Sequence, residues 1–466
     1  MRRRIIAIIF VAAICLASLW LGNDVVRSPE IYLAFLAGLV PALACVWVTV
    51  RGGSDRNFLL RVFFAALFLR YLVGYVIYYK HLQPFLGGDA QTYDVFGNAL
   101  LQSWRGLVDP TVPWLTRYTD PHTSGFGMFY FVAGIYYVVG QNPLAIQLIN
   151  CAFGAGACVA AYEITMMVYP ERRAARLVML MSAFSPSLVL WTSQALKDGP
   201  ILLCLCLCTL FTLKVRDKFE VRSFALLVAS LLGLYTLRSY AASIIFVAIA
   251  GTFIFAAKKF TPSRILFGGV LVILIGLSLV YFGAGELAKN GIDLGQIQRV
   301  REWGSKTANT GFGGDVDITD PKAALGFLPI GVLYVLLAPF PWMINNFRQL
   351  ITLPELVAWW VLMPMMLKGY WFAIRHRLRE SFVICVFMLS LTLAYALYQS
   401  NAGTAYRHRA QLYVFFFIFI AIGLELRRAA RMKKQAQMYK PAPPPAFAMP
   451  ARPGPFEGER IKPQTP

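Results

Sequence analysis

The sequence predicts an all-α, polytopic membrane protein with about twelve transmembrane helices and two further apolar helices that lie in the interface or re-enter it. Three observations predict this. Mean hydropathy is +0.59. The 466 residues are 58% hydrophobic and only 14% charged, too little polar surface to coat a globule of that size. The apolar residues also come in repeated runs of roughly 17–25, the length that crosses a bilayer.

The chain opens on Arg2-Arg3-Arg4 and an apolar run to Leu21. A second run follows closely and no small-x-small cleavage site stands out, so this reads as a retained first span rather than a signal peptide. The spans are placed at 5–21, 30–50, 58–80, 143–169, 174–192, 198–213, 222–236, 239–257, 264–283, 354–374, 380–399 and 409–427. The segments 126–141 and 324–342 are ambiguous, and basic residues decide them. If neither crosses, the clusters Arg172/Arg173/Arg176, Lys214–Arg222 and Lys258–Arg264 all fall in the cytoplasm with both termini, as the positive-inside rule requires. Glycines at 125, 127, 134 and 140 in the first segment, and the Pro339/Pro341 break ending the second, fit interfacial or re-entrant helices.

Three parts follow. Residues 1–57 hold two amino-terminal spans, and 58–427 are expected to form the main transmembrane domain, with long outer loops at 81–125 and 284–323. Residues 428–466 are a basic, proline-rich cytoplasmic tail with too few aliphatics to bury a core.

There are 44 Lys and Arg against 23 Asp and Glu, a net charge of +21. The basic residues sit in short clusters between apolar runs, so they encode orientation and do not point to nucleic acid. All eight cysteines lie inside apolar runs without a CxxC, which argues for small apolar side chains rather than zinc ligands or disulfides. No P-loop, nucleophile elbow or HExxH is present, which argues against an ATP-driven pump and the common hydrolases.

Chemistry-bearing residues gather on the outer face. Tyr93, Phe96, Gly97, Leu100, Leu101 and Trp104 share one helical stripe, so an amphipathic helix starts near Asp89 and lies along the interface. Asp89 follows Gly87-Gly88. It reads either as a helix cap or as a general base that takes a proton from an acceptor hydroxyl. Asp94 reads as a flanking polar group or secondary ligand. Lys197, Arg238 and the cluster Arg407-His408-Arg409 occupy outer helix ends, where cations hold phosphate or snorkel to lipid headgroups. Asp198, just before Gly199-Pro200, reads as a cap. Within the spans, Arg70 is a functional candidate without an obvious partner, and Glu163 and Lys368 are placed to form a structural pair. The loop 284–323, acidic and glycine-rich, suits a mobile lid. Its Asp315-Val316-Asp317 offers a weak site for a divalent cation, the one cofactor the sequence suggests.

This layout resembles the GT-C type integral-membrane glycosyltransferases, such as bacterial relatives of the dolichyl-phosphate-mannose–protein mannosyltransferases. The resemblance rests on Gly87-Gly88-Asp89-Ala90-Gln91-Thr92-Tyr93-Asp94, on the stretch from Ser185 to Asp198, on Leu237-Arg238-Ser239-Tyr240-Ala241, on Ala338-Pro339-Phe340-Pro341-Trp342 and on Tyr406-Arg407-His408-Arg409. It covers roughly 60–425. In that family an acidic residue on a membrane-lying helix of the first large outer loop is the catalytic or metal-associated carboxylate, here Asp89. The resemblance implies a polyprenyl-phosphate-linked sugar as donor. It implies a lipid-linked glycan, a lipid or a protein as acceptor, at the outer face of a bacterial inner membrane. The chain departs from the family in two extra spans before the acidic loop and in lacking an adjacent acidic pair. Two alternatives stand beside this reading. An O-antigen polymerase or ligase-like enzyme would use a diphosphate-linked donor and depend on the arginines rather than Asp89. A lipid or glycan transporter would line its path with Arg70 and Glu163.

Overall fold

A computed structural model describes residues 29–50, 55–255, 294–307, 310–314, 316–344 and 350–438. Among them are seventeen α-helices and no strand. Seven of these helices are long and apolar enough to cross a membrane, or eight if one bent pair is a single span. The protein is an all-α polytopic membrane protein. The expected spans 5–21 and 264–283 lie outside the described residues.

The first half runs α1 (Pro29–Val50), α2 (Arg56–Tyr79), the short α3 (Gln83–Leu86), α4 (Asp89–Trp104), α5 (Pro113–Thr119), α6 (Gly127–Val139) and α7 (Pro143–Val168). Then come α8 (Arg172–Phe184), α9 (Pro186–Thr192), α10 (Asp198–Asp217), α11 (Val221–Leu237) and α12 (Ser239–Phe255). The second half holds α13 (Leu294–Thr307), α14 (Pro321–Leu337), α15 (Leu353–His376), α16 (Leu378–Tyr398) and α17 (Ala402–Met438). The chain divides into two compact units between Glu425 and Leu426.

Helix α7 is the axis of the first half and packs against α1, α2, α8 and α10. Its run of Cys151, Ala152, Gly154, Ala155, Gly156, Ala157 and Cys158 is small enough for four neighbours to approach closely. By contrast α1 and α15 leave most of their apolar surface uncovered, as rim helices facing lipid must.

The expected span 174–192 is broken. Pro186 has no amide to continue α8, and Ser185 before it is extended, with ψ 122°. Helix α9 therefore leaves at 56° to α8. The freed carbonyls at the end of α8 need donors, and Arg70 supplies them. This fully buried guanidinium donates Nη1 to Ala183 O at 2.9 Å and Nη2 to Ser182 O at 3.1 Å, while Nε reaches Thr192 Oγ1 at 2.9 Å. Gly154 makes room, since a Cβ there would meet Thr192 and the Arg70 Nε. The buried arginine holds a kink together. Glu163 and Lys368, expected as a pair, form no salt bridge with each other.

The described part of the second long loop is stapled down rather than free. Arg301 is buried, stacks on Phe327, and donates to Leu397 O at 2.9 Å and Gly313 O at 2.6 Å. Phe312 N bonds Ser400 O at 2.8 Å and Ala402 N bonds Thr310 O at 3.0 Å. The backbone of 310–312 is thereby fixed to the residues that begin α17.

Candidate active site

The loop before α4 turns at Gly87, whose φ of +138° only glycine adopts without strain. Asp89 is the first residue of α4, yet its carboxylate bonds no backbone amide of its own helix. Arg407 Nη1 donates to Asp89 Oδ2 at 2.7 Å instead. Asp94 points elsewhere: Tyr136 Oη donates to its Oδ1 at 2.7 Å and Gln141 Nε2 at 3.1 Å. Those bonds, and the close approach of Gly97 to Val132, fasten α4 to α6.

Arg407 meets a second carboxylate. Its Nε and Nη2 donate to Asp198 Oδ2 at 3.0 and 2.6 Å, and its guanidinium lies 5.3 Å from the Trp191 ring centroid. Gln411, one turn further along α17, donates Nε2 to Asp198 Oδ1 at 2.7 Å and accepts from Arg238 Nη1 at 2.7 Å. Arg238 also reaches Tyr395 Oη at 3.3 Å. The result is an unbroken hydrogen-bonded chain from Asp89 through Arg407, Asp198 and Gln411 to Arg238. The first turns of α4 and α10, the α11–α12 turn and the second and third turns of α17 converge on it.

Successive residues of a helix point about 100° apart, so the Arg407-His408-Arg409 cluster divides. His408 stacks on Tyr395, and Gln399 Nε2 lies 2.6 Å from its Nδ1. With that nitrogen accepting, the ring keeps its proton on Nε2. Arg409 is fully buried on another face. It donates Nη1 to Leu336 O at 2.6 Å and Nε to Tyr413 Oη at 3.1 Å, capping the carboxyl end of α14. Trp359 and Trp360 donate there too, to Leu336 O at 2.6 Å and Leu337 O at 3.0 Å. Arg409 is therefore not brought to the Asp89 cluster.

Lys197 stands at the edge of the cluster, and among the described residues its side chain makes no hydrogen bond or ion pair. Its Nζ is 3.0 Å from where a Cβ on Gly125 would sit. Gly125 has φ +94°, a backbone conformation that favours glycine. Burial, reinforced by nearby Arg238, lowers the Lys197 pKa to about 8.

Residues 123–282 match the model of the dolichyl-phosphate-mannose-protein mannosyltransferase family. This match supports a glycosyltransferase of the GT-C type. No curated protein matches the chain. The mannosyltransferase match contains Lys197, Asp198 and Arg238 but neither Asp89 nor the Arg407-His408 pair, which reach the same place only through folding.

Beside the mannosyltransferase match, the structure adds residues that sequence reasoning passed over. Asp198 read as a cap, but its carboxylate is spent on Arg407 and Gln411. Gln411 and Tyr395 were unremarked, although a glutamine four residues after an arginine in a spanning helix is a legible polar face. Among the described residues no group of three or more His, Cys, Asp or Glu could hold a metal ion. Asp315 lies outside the described residues, while Asp317 accepts from Thr319 N at 2.8 Å and Thr319 Oγ1 at 2.7 Å in a local turn.

Proposed function

We propose that the protein transfers a sugar from a polyprenyl-phosphate donor to a lipid-linked glycan, lipid or protein acceptor at the outer face of a bacterial inner membrane. The observation that carries this reading is a half-exposed carboxylate, Asp89, standing 2.7 Å from one of three clustered cations at one end of the helical bundle. A base beside a phosphate-binding group is what glycosyl transfer from a lipid phosphate needs.

The acceptor hydroxyl gives its proton to Asp89 as its oxygen bonds the anomeric carbon. The bond from that carbon to the phosphate oxygen breaks, and the polyprenyl phosphate leaves with the electron pair. The anomeric configuration inverts. The donor phosphate is a monoanion while esterified on both sides and gains charge as it leaves, so cations that hold it stabilise the transition state more than the ground state. Arg407, Arg238 and Lys197 serve in that role, with His408 as a neutral donor behind them. The charges support a monophosphate. Three cations against Asp89 and Asp198 leave one net positive charge, which matches a phosphodiester better than a diphosphate.

The test is lipid mass spectrometry on cells with wild-type protein, no protein, or Asp89→Asn at matched expression. Accumulation of a polyprenyl-phosphate sugar in both altered strains is the expected outcome, and the lipid's mass then constrains the sugar. If the deletion accumulates lipid while Asp89→Asn behaves as wild type, Asp89 is not the base and a polymerase or ligase-like reaction takes precedence.

A further inference from the structure

We propose that Arg407 is a shared cation: its Nη1 passes from Asp89 to the incoming phosphate, so that Asp89 becomes available as a base only in the donor-loaded protein. The inference rests on the transferase reading, because it takes a lipid phosphate as the incoming ligand.

The argument starts from asymmetry. One guanidinium serves two carboxylates whose environments differ sharply. Asp198 has a side chain only 3% exposed, receives Nε and Nη2 of Arg407, and is also bonded by Gln411. Asp89 has a side chain 55% exposed and holds Arg407 by the single Nη1 contact. Breaking the Asp198 contacts would strand a charge in a poorly solvated place, whereas Asp89 can turn to water at little cost. An anion that competes for Arg407 therefore displaces Asp89 and leaves Asp198 in place.

The backbone permits this. Asp89 follows Gly87 and Gly88, and a Cβ built on either would meet nothing within 4 Å, so the start of α4 has open space around it. Arg407, in contrast, is held from behind by Asp198 and rests on Trp191, which keeps Nη1 facing outward. Asp198 is thus a positioning residue that acts through Arg407.

The functional consequence is an order of events. While Asp89 Oδ2 accepts from Arg407 it is not free to accept from an acceptor hydroxyl, and release from the pair frees that oxygen. Donor phosphate arriving at Arg407 would arm Asp89 before the acceptor is deprotonated, which gives donor-first binding.

The test measures binding of a polyprenyl monophosphate in detergent to the full chain, as wild type, Asp89→Asn and Asp198→Asn, each checked for a monodisperse profile. Because the amide no longer competes for Arg407, Asp89→Asn is expected to bind the lipid phosphate about three- to fivefold more tightly than wild type. Asp198→Asn is expected to bind about tenfold more weakly, with recovery in Asp198→Glu. If Asp198→Asn does not fold, Asp89→Asn decides alone. Unchanged or weaker binding by Asp89→Asn overturns the sharing. Should that same variant still block transfer in cells, the base assignment survives while the shared cation does not. Failure of wild-type protein to bind the lipid phosphate at all overturns both.

Discussion

Lys197 is the residue in the cluster that pH should reach first. Its pKa is lowered to about 8, because burial, reinforced by Arg238, opposes its charge. It is therefore charged below pH 8 and loses its proton as pH rises through that value. A bound phosphate stabilises the charged form, so phosphate binding must weaken as the proton is lost. Affinity for a polyprenyl phosphate is expected to fall severalfold between about pH 7 and 9. Lys197→Arg, which stays charged throughout, should flatten that dependence. An equally steep fall in Lys197→Arg would place the titrating group elsewhere. The sequence shows such cations but not their company. Arg70, Arg238, Arg407 and Arg409 look alike in a list of residues in or near spans, yet two of them serve backbone carbonyls and two meet side chains beside Asp89.

At the scale of elements, breaks in helices determine where these side chains go. The bend between α8 and α9 is written in Ser185-Pro186, but its partner Arg70 lies over a hundred residues earlier in the chain. An ammonium cannot reach Ala183 O, Ser182 O and Thr192 Oγ1 at once, as the guanidinium fork does. Arg70→Lys is accordingly expected to destabilise the protein by about 2 kcal/mol, read as a lowered thermal midpoint in detergent. A midpoint equal to wild type would mean that the α8 carbonyls find other donors. The carboxyl end of α14 follows the same logic: Ala338-Pro339 ends the helix, and Arg409, Trp359 and Trp360 meet its last carbonyls. Helix α4 was legible from its stripe, with Tyr93, Gly97, Leu100 and Leu101 buried as the periodicity requires. Its fastening through Asp94 was not, because Tyr136 lies in α6 and Gln141 in the loop after it, more than forty residues along the chain.

For the whole molecule, the site's facing is the quantity that basic clusters predict. Arg105, beyond the end of α4, and Lys218, beyond the end of α10 opposite Asp198, are both exposed. In intact cells a membrane-impermeant maleimide is expected to label Arg105→Cys at once and Lys218→Cys only after permeabilisation. The reverse pattern would put the cluster in the cytoplasm and remove the outer-face reading. The seven free cysteines of the described residues lie within apolar helices, none of them exposed, so background labelling should be low.

By itself the sequence determined the class of protein and the position of most helices, and its basic clusters give the expected facing of the polar residues. Those properties follow from local hydropathy and charge, which each segment carries independently of the others. It also marked Asp89, Lys197, Arg238 and Arg407 by residue type and place. Tertiary structure alone decided that Asp89 and Asp198 compete for one guanidinium, and that Gln411 joins it to Arg238. It also decided that Arg70 and Arg409 close helix ends. Each of those outcomes is a contact between residues distant along the chain. Which donor meets which acceptor is fixed by how the helices pack, because a buried polar group must find a partner wherever the fold leaves one.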